Sequence, residues 1–528
     1  MVDFDQLFLN GSIIPVIGPR RVGAVAVKAG RIVAVGDECE LRSFANASVD
    51  AIDLEGKTLV PGFEDAHAHV WKVGQLLTTS LDLRGSASIE EIGGLLRQRD
   101  SVLPKDAWLL GRGFNEISLA EGRKPTRSDL DRFVPDRPIL LTRTCGHIFI
   151  ANSLALRLAG IDSATNSPDG GIIEHNAEGE VNGVVHETAV GLLNRVIPPP
   201  TRSDYRATID AALKHQLMLG ITASSDCGVM PGLLDTYLEM DADGTLPARM
   251  LVMPLGRPDG TAGPIKLPAR HRSSMLRVDT VKFLADGGLS GGTAALSVPY
   301  RNSSFCGVTR FQRDELLSLF ADAHRQGWRI SSHAIGDAAI EQVLGAYERL
   351  GPHPLGFAHR MEHAGLPSHS QLRRMSRAGV MVVTQPIFLD ELGANFRSFV
   401  PDSLSERVYP IREMLDAGLA VAFSSDAPVV VDDSPLAGIQ AAVLRRTREG
   451  DCILPHQAIT ATEALHAYTA GAAMVAGEGD TRGSMKPGCW ADFALLSEDP
   501  TAVEPLSIRK ITVERTYLAG QLVYSKPA

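Results

Sequence analysis

The sequence predicts an α/β protein: a (β/α)8 barrel with a small β domain assembled from both ends of the chain. Three observations lead there. Short apolar strands alternate with amphipathic helices through the middle of the 528 residues. Both ends of the chain read instead as strands and hairpins. Several middle strands end in a histidine or aspartate, and a barrel gathers its C-terminal strand ends at one mouth.

The N-terminal strands come first. Leu7 to Ile14 is apolar and broken at Asn10-Gly11. Ala24 to Val35 is two apolar runs around Ala29-Gly30, a hairpin signal. Thr58-Leu59-Val60 runs into Pro61-Gly62. In the middle, Glu315 to Gln326 places Leu316, Leu319, Phe320 and Ala323 on one helical face, with Gly327 as the stop. Trp328 to Ser332 is a strand, Asp337 to Leu350 a helix, and Gly356 to His363 a strand. Gln371 to Ala378, Val380 to Thr384, Arg412 to Ala417 and Leu419 to Phe423 continue the alternation. Repeated units of this kind point to a parallel sheet. Trp108 to Pro200 breaks the rhythm and is expected to be an insertion over the barrel mouth. Trp490 to Leu496 reads as a strand, and Ile511 to Tyr524 as a hairpin turning at Ala519-Gly520. The expected division is residues 1–62 and 480–528 in the β domain and 63–479 in the barrel, with the insertion around 108–200.

Composition narrows the function. Hydrophobic residues make up 44%, enough for a large core, and charged residues 22%. The net charge of −10, with no basic run, lacks the footprint of nucleic-acid binding. The start, Met1-Val2-Asp3-Phe4-Asp5, is acidic where a secretory signal is basic. No run approaches the ~20 apolar residues of a membrane span. The six cysteines, Cys39, Cys145, Cys227, Cys306, Cys452 and Cys489, are scattered without a C-x-x-C pair. They read as reduced thiols, and a cytoplasmic location is the expectation. A homodimer is the expectation by base rate.

The strand ends carry the chemistry. His67-Ala68-His69 closes the first barrel strand, and residues i and i+2 of a strand point the same way. His333 closes Trp328 to Ser332, His363 closes the next strand, and Asp426 follows Val421-Ala422-Phe423. Histidine and aspartate suit zinc or similar divalent ions. Such an ion lowers the pKa of its water from about 15.7 to about 7. Asp426 is the candidate to take that proton and pass it to a leaving nitrogen.

These segments resemble the amidohydrolase superfamily, and within it the amidohydrolase-3 group of YtcJ-like proteins and N-substituted formamide deformylase. The resemblance rests on Pro61 to His69, Val281 to Gly287, His333 to Ala339, Arg360 to Ala364, Ser425 to Pro428 and Gly483 to Gly488. It implies a distorted (β/α)8 TIM barrel with a small β-sandwich built from both termini. It also implies His67, His69, Lys282, His333, His363 and Asp426 as metal ligands, around two zinc ions bridged by a carboxylated Lys282. A lysine takes up CO₂ only when neutral, and burial near cations favours that form. Cys145-Gly146-His147 with Asn152 to Leu156 matches a further block of the group and offers His147 as a substrate contact. Trp108, Phe114 and Gln385 are further substrate-contact candidates, and Asp286 and Asp337 follow ligand positions closely enough to support them. His359 shares parity with His363 and reads as support. Glu64 replaces the apolar residue common before the Asp-x-His-x-His block, and nothing in the sequence explains it.

The leading reading is an amide or formamide hydrolase acting on a small molecule. Others compete with it. A one-metal hydrolase or a deaminase fits the same barrel, although the glutamate usual in deaminases after the strand-five histidine is missing from His333-Ala334-Ile335-Gly336-Asp337. Gly288-Leu289-Ser290-Gly291-Gly292 matches G-x-S-x-G, offering a serine hydrolase through Ser290. A non-catalytic binding protein would keep the fold alone.

Overall fold

The structure is a computed structural model describing residues 3–18, 21–257 and 266–527. The two ends of the chain build two sheets. One has four strands in the order Arg31–Gly36, Ala24–Lys28, Gln6–Leu9, Asp50–Asp53. The other joins Ser12–Ile13 and Thr58–Pro61 to Phe493–Leu496, Val513–Leu518 and Gln521–Ser525. Leu59 faces Leu495 across the antiparallel seam that unites the two ends. The run from Leu7 to Ile14 is divided between the sheets at the expected break, Asn10-Gly11, where Asn10 takes a left-handed conformation, φ 57°. Both predicted hairpins form, turning through positive φ at Ala29-Gly30 and Ala519-Gly520. Phe8, Val25, Val27, Leu59, Phe493 and Tyr517 share one apolar cluster, so the two sheets pack on each other.

Eight parallel strands form the centre: β1 (Phe63–Ala68), β2 (Ile221–Val229), β3 (Arg249–Pro254), β4 (Thr280–Leu284), β5 (Arg329–Ala334), β6 (Arg360–His363), β7 (Met381–Thr384) and β8 (Val421–Phe423). They lie in two five-stranded sheets, giving a TIM-barrel-like α/β fold. The sheets meet around β4. Leu276–Val278, just before it, pairs with β3, and β4 itself pairs with β5. Lys282 bridges to Leu255 past the end of β3. At the other seam, Asp426 N–H donates to the His67 carbonyl at 2.8 Å and His69 N–H to that of Ala427 at 2.8 Å.

Helices cover the strands. α1 (Val70–Thr78) and α2 (Arg202–Met218) pack side by side, and α3 (Pro231–Ala242) links β2 to β3. α4 (Arg313–Arg325), α5 (Asp337–Leu350) and α6 (His369–Arg377) fall within a residue or two of the expected helices. Phe320, Ile340, Val343 and Leu344 drive their apolar faces onto the strands. α7 (Ile387–Glu391) and α8 (Gly393–Phe399) cross the strand ends before α9 (Ile411–Asp416) returns to β8.

The insertion is a six-stranded mixed sheet with its own apolar clusters. Its first strand is Leu81–Asp82, earlier than the expected start near 108, and its last is Val181–Glu187. Thr144 donates to the Val429 carbonyl at 2.7 Å and Arg143 to the Ser290 carbonyl at 2.9 Å, so the sheet seats over the strand ends. Among the described residues, no helix is long and apolar enough to cross a membrane.

Candidate active site

The fold brings His67, His69, His333, His363, Lys282 and Asp426 to the C-terminal ends of β1, β4, β5, β6 and β8. The His67 and His69 Nε2 atoms lie 3.5 and 3.4 Å from Asp426 Oδ1. The ring of His363 lies 4.8 Å from that of His67 and 4.5 Å from that of His333. His363 and Asp426 both have positive φ, 71° and 56°. Non-glycine residues in that region carry strain that the surrounding structure must hold, and such positions cluster at functional sites.

Hydrogen bonds fix each imidazole. His67 Nδ1 donates to Glu362 Oε2 at 2.6 Å, His69 Nδ1 to the Cys227 carbonyl at 2.8 Å, and His363 Nδ1 to Gln385 Oε1 at 2.8 Å. Each of these rings keeps Nε2 as its lone-pair nitrogen. His333 is reversed: Nε2 donates to the Gly287 carbonyl at 3.1 Å, with Asp286 Oδ1 at 3.2 Å, leaving Nδ1. Burial first, then neighbouring cations, pushes all four histidines below their ordinary values and keeps them neutral. Neutral rings with one free nitrogen each are the form that binds metal.

Two further atoms fit the same purpose. Lys282 is 1% exposed and its Nζ has no hydrogen-bond partner. Asp426 Oδ1 is likewise buried without one. Unpaired buried polar atoms are rare enough to need an explanation, and an ion or a bound group is one. Burial pushes the Lys282 ammonium down, against the pull of Glu362, Cys227 and Asp426.

Glu362 is the functional residue that sequence reasoning missed. It is fully buried, takes Arg360 on both oxygens at 2.8 and 3.0 Å, accepts from Ser331 at 2.8 Å, and orients His67. The available signal was parity: Arg360 and Glu362 are two apart on one strand and so share a face. Asp286 supports its neighbourhood as expected, accepting from the Ala295, Ile335 and Gly336 N–H groups. Asp337 instead binds Ser297. His359 accepts from Ile330 N–H and pairs with His324, so it does not support His363. Glu64 pairs with Arg482, which explains its presence in a buried strand.

The substrate-contact candidates separate. His147 lines a cavity beside His333, its ring 5.3 Å away, and its Nδ1 lies 2.8 Å from Glu187. Burial would raise the Glu187 carboxyl, but His147 and Arg310 outweigh it and hold the group at about 2. Gln385 has both amide ends engaged, one by His363 and the other by Ser424 at 2.8 Å, so it positions His363. Phe114 is in the insertion's apolar cluster with Leu83 and Ile92. Trp108 packs against a second cluster with Leu140 and Ile173. Neither lines the cavity. Its walls include Cys145, Leu289, Phe388, Leu392, Phe396, Tyr409 and Val429, and its free space is about 20 Å³, room for a water. Ser290 also lines it, on a single turn ending at left-handed Gly292 rather than on a helix. Its hydroxyl lies 3.5 Å from Arg143, and among the described residues no histidine is hydrogen-bonded to it.

A TIM-barrel-like fold with histidines, a lysine and an aspartate gathered at its strand ends is the frame of a hydrolase. Residues 50–524 match the model of the Amidohydrolase family. The chain belongs to that family and is an enzyme that hydrolyses carbon–nitrogen bonds. It is 32% identical over 521 residues to YtcJ of Bacillus subtilis (strain 168), covering 96% of each chain. It is 31% identical over 525 residues to the N-substituted formamide deformylase of Arthrobacter pascens, covering 95% of each. A solved metal-dependent hydrolase from Pyrococcus horikoshii OT3 superposes with a TM-score of 0.76 at 27% identity, covering 95% of this chain and 99% of that one.

Proposed function

We propose that this enzyme is a metal-dependent hydrolase of amide or formamide-type C–N bonds in small molecules. The observation that carries this is the set of four tautomer-fixed, neutral histidines around the two unpaired buried atoms, Lys282 Nζ and Asp426 Oδ1. Relatives named a formamide deformylase and a metal-dependent hydrolase support it. The eight strands are read as a distorted (β/α)8 barrel and the terminal sheets as a β-sandwich.

His67, His69, His333, His363 and Asp426 would hold zinc, two ions per chain, with a carboxylated Lys282 between them. A metal held there would supply a Lewis acid for the carbonyl oxygen and would acidify a water near neutral pH. Asp426 takes the proton of the attacking water and delivers it to the leaving nitrogen. Water and amide thus become acid and amine. His147, steadied by Glu187, contacts the carbonyl oxygen from the insertion side. Glu362 and Gln385 hold the His67 and His363 rings in place.

Counting metals per chain by plasma mass spectrometry, together with hydrolysis of a panel of N-substituted formamides and amides, tests the reading. Two zinc ions per chain and chelator-sensitive turnover are expected. A stoichiometry near one removes the lysine bridge. Turnover that survives metal removal removes the mechanism.

A further inference from the structure

Tyrosine hydroxyls buried in a protein usually find a hydrogen-bond partner. Around the central strands, Tyr237 donates to Asp226 Oδ2 at 2.7 Å and Tyr300 to the Ala294 carbonyl at 2.7 Å. Tyr347 donates to the Arg360 carbonyl at 2.8 Å and Tyr468 to that of Ser424 at 3.5 Å. Tyr409 is as deeply buried, at 1% exposed, yet among the described residues nothing hydrogen-bonds to its hydroxyl. Of these five tyrosines it is the one that lines the cavity at the strand ends, together with His147, His333 and Asp426.

The fold holds this ring in place. Tyr409 lies just before α9, and its N–H donates to the Gly365 carbonyl at 2.8 Å. Its own carbonyl accepts from Arg445 Nη1 at 3.0 Å. Its backbone is left-handed, φ 45°, a conformation that a bulky residue keeps only under constraint. The ring meets Phe388 edge-on with centres 6.0 Å apart, and Phe396 obliquely at 5.6 Å. Phe388 in turn stacks on the His363 imidazole, 6.4 Å away and 11° from parallel. A Cβ on Gly365 would stand 3.5 Å from Tyr409 Cζ, so the carbon that bears the hydroxyl lies against the segment following His363.

The space in front of these groups is small. About 20 Å³ is room for one water or one carbonyl oxygen, and the body of a ligand must lie outside it. Leu289, Phe388, Leu392, Phe396 and Val429 make much of the wall apolar. In such surroundings a hydrogen bond to an oxygen that gains negative charge is stronger than it is in water. Burial first, then the charges of Asp426 and Asp286, raises the Tyr409 phenol well above its ordinary value, so it keeps its proton and acts as a donor. In an amide, the atom that accepts such a bond and gains negative charge under attack is the carbonyl oxygen.

We propose that Tyr409 is a catalytic residue whose hydroxyl donates a hydrogen bond to the carbonyl oxygen of the substrate and stabilises the charge that develops there. This rests on the hydrolase reading for the reaction, though not for the contact itself. The O–H bond of Tyr409 stays intact throughout, and proton transfer remains with Asp426. Before substrate arrives, the same hydroxyl serves a water.

Tyr409→Phe removes one oxygen and keeps the ring. On N-(2-phenylethyl)formamide, kcat of the metal-loaded variant is expected to fall about 10²–10³-fold with KM within about threefold, as for an interaction made in the transition state. Its guanidinium unfolding midpoint stays at the wild-type value because no bond within the fold is lost, whereas Tyr347→Phe lowers the midpoint. Calorimetric titration with 2-phenylethylphosphonate, whose anionic oxygens stand in for the charged carbonyl oxygen, reads the contact without turnover. Binding is expected to be at least about tenfold weaker in Tyr409→Phe. A kcat within about threefold of the wild type overturns the proposal, as does phosphonate binding that is alike in both proteins. A loss carried by KM, or accompanied by a lowered unfolding midpoint, overturns it too and makes Tyr409 a packing residue. If the wild type hydrolyses no formamide yet binds the phosphonate in a Tyr409-dependent way, the contact stands and the hydrolase reading falls. If the formamide is hydrolysed and the two proteins match in kcat and in phosphonate binding, the reverse holds. Absence of both hydrolysis and Tyr409-dependent binding rejects both.

Discussion

Asp426 places one oxygen against two histidines and leaves it without a hydrogen bond, inside a chain segment strained to positive φ. Burial raises its carboxyl against the pull of His67 and Lys282, which makes it a better proton acceptor than an exposed aspartate. Asp426→Asn keeps the shape and removes the acceptor. Its kcat is expected to fall by about 10²–10⁴-fold with an unchanged circular dichroism spectrum. A fall of less than tenfold would reject the proton role. Glu362 answers to a different measurement. Glu362→Gln strands the fully buried Arg360 and loosens His67. It is expected to cost about 3–5 kcal/mol in denaturant unfolding and to weaken metal binding about 10–100-fold. That His67, His69, His333, His363 and Asp426 gather in one place was legible because each lies at or just past a strand end and has a side chain able to bind a metal. Glu362 was not. It is a carboxylate within a strand, and its role lies in the His67 ring it holds from another strand. Parity puts Arg360 and Glu362 on one face, but the contact between Glu362 and His67 is visible only in three dimensions.

Elements that follow a single period were read from the sequence almost to the residue. α5 starts at Asp337 and ends at Leu350 because Ile340, Val343, Leu344 and Tyr347 keep one face buried. The insertion has no such period. Its strands run from two to seven residues and mix parallel with antiparallel neighbours, so no alternation accumulates. α2, which packs on α1, carries an element-level pH dependence. His215 on α2 meets both oxygens of Asp433 at 3.0 Å, beyond the end of β8. Burial would lower this histidine, but the Asp433 hydrogen bond and charge outweigh it and raise its pKa above 6.5. The unfolded chain titrates near 6.5, so the stabilisation is complete below that pH and is lost as pH rises through the folded value. His215→Gln is therefore expected to destabilise at pH about 5.5 by up to about 1 kcal/mol, since the pair is partly exposed, and scarcely at all at pH about 9. Chemical unfolding at the two pH values checks this. An equal loss at both would mean that packing, and not charge, holds the pair.

At the scale of the whole molecule, the β-rich ends of the sequence signalled strands of both termini coming together, but not how they are fastened to the centre. The fastening is polar. Arg249, the first residue of β3, is 2% exposed. It grips Asp492 through Nε at 2.6 Å and Nη2 at 3.0 Å, and donates to the Ser274 carbonyl at 2.7 Å. It also stacks over Trp490, 4.3 Å from the ring centre. Asp492 immediately precedes the C-terminal strand Phe493–Leu496 and accepts from Ala519 N–H in the adjoining hairpin at 2.8 Å. One ion pair thus ties β3 to two segments of the terminal sheet. Breaking a buried pair from one side leaves an uncompensated charge, whereas replacing both partners with apolar groups is often neutral. Arg249→Ala is expected to lower the unfolding free energy by about 3–5 kcal/mol, and Arg249→Met with Asp492→Leu to recover most of that loss. Guanidinium unfolding of the wild type and both variants decides it. A single variant within about 1 kcal/mol of the wild type, or a double variant no better than the single, would show that apolar packing between the centre and the terminal sheets holds the molecule together without this pair.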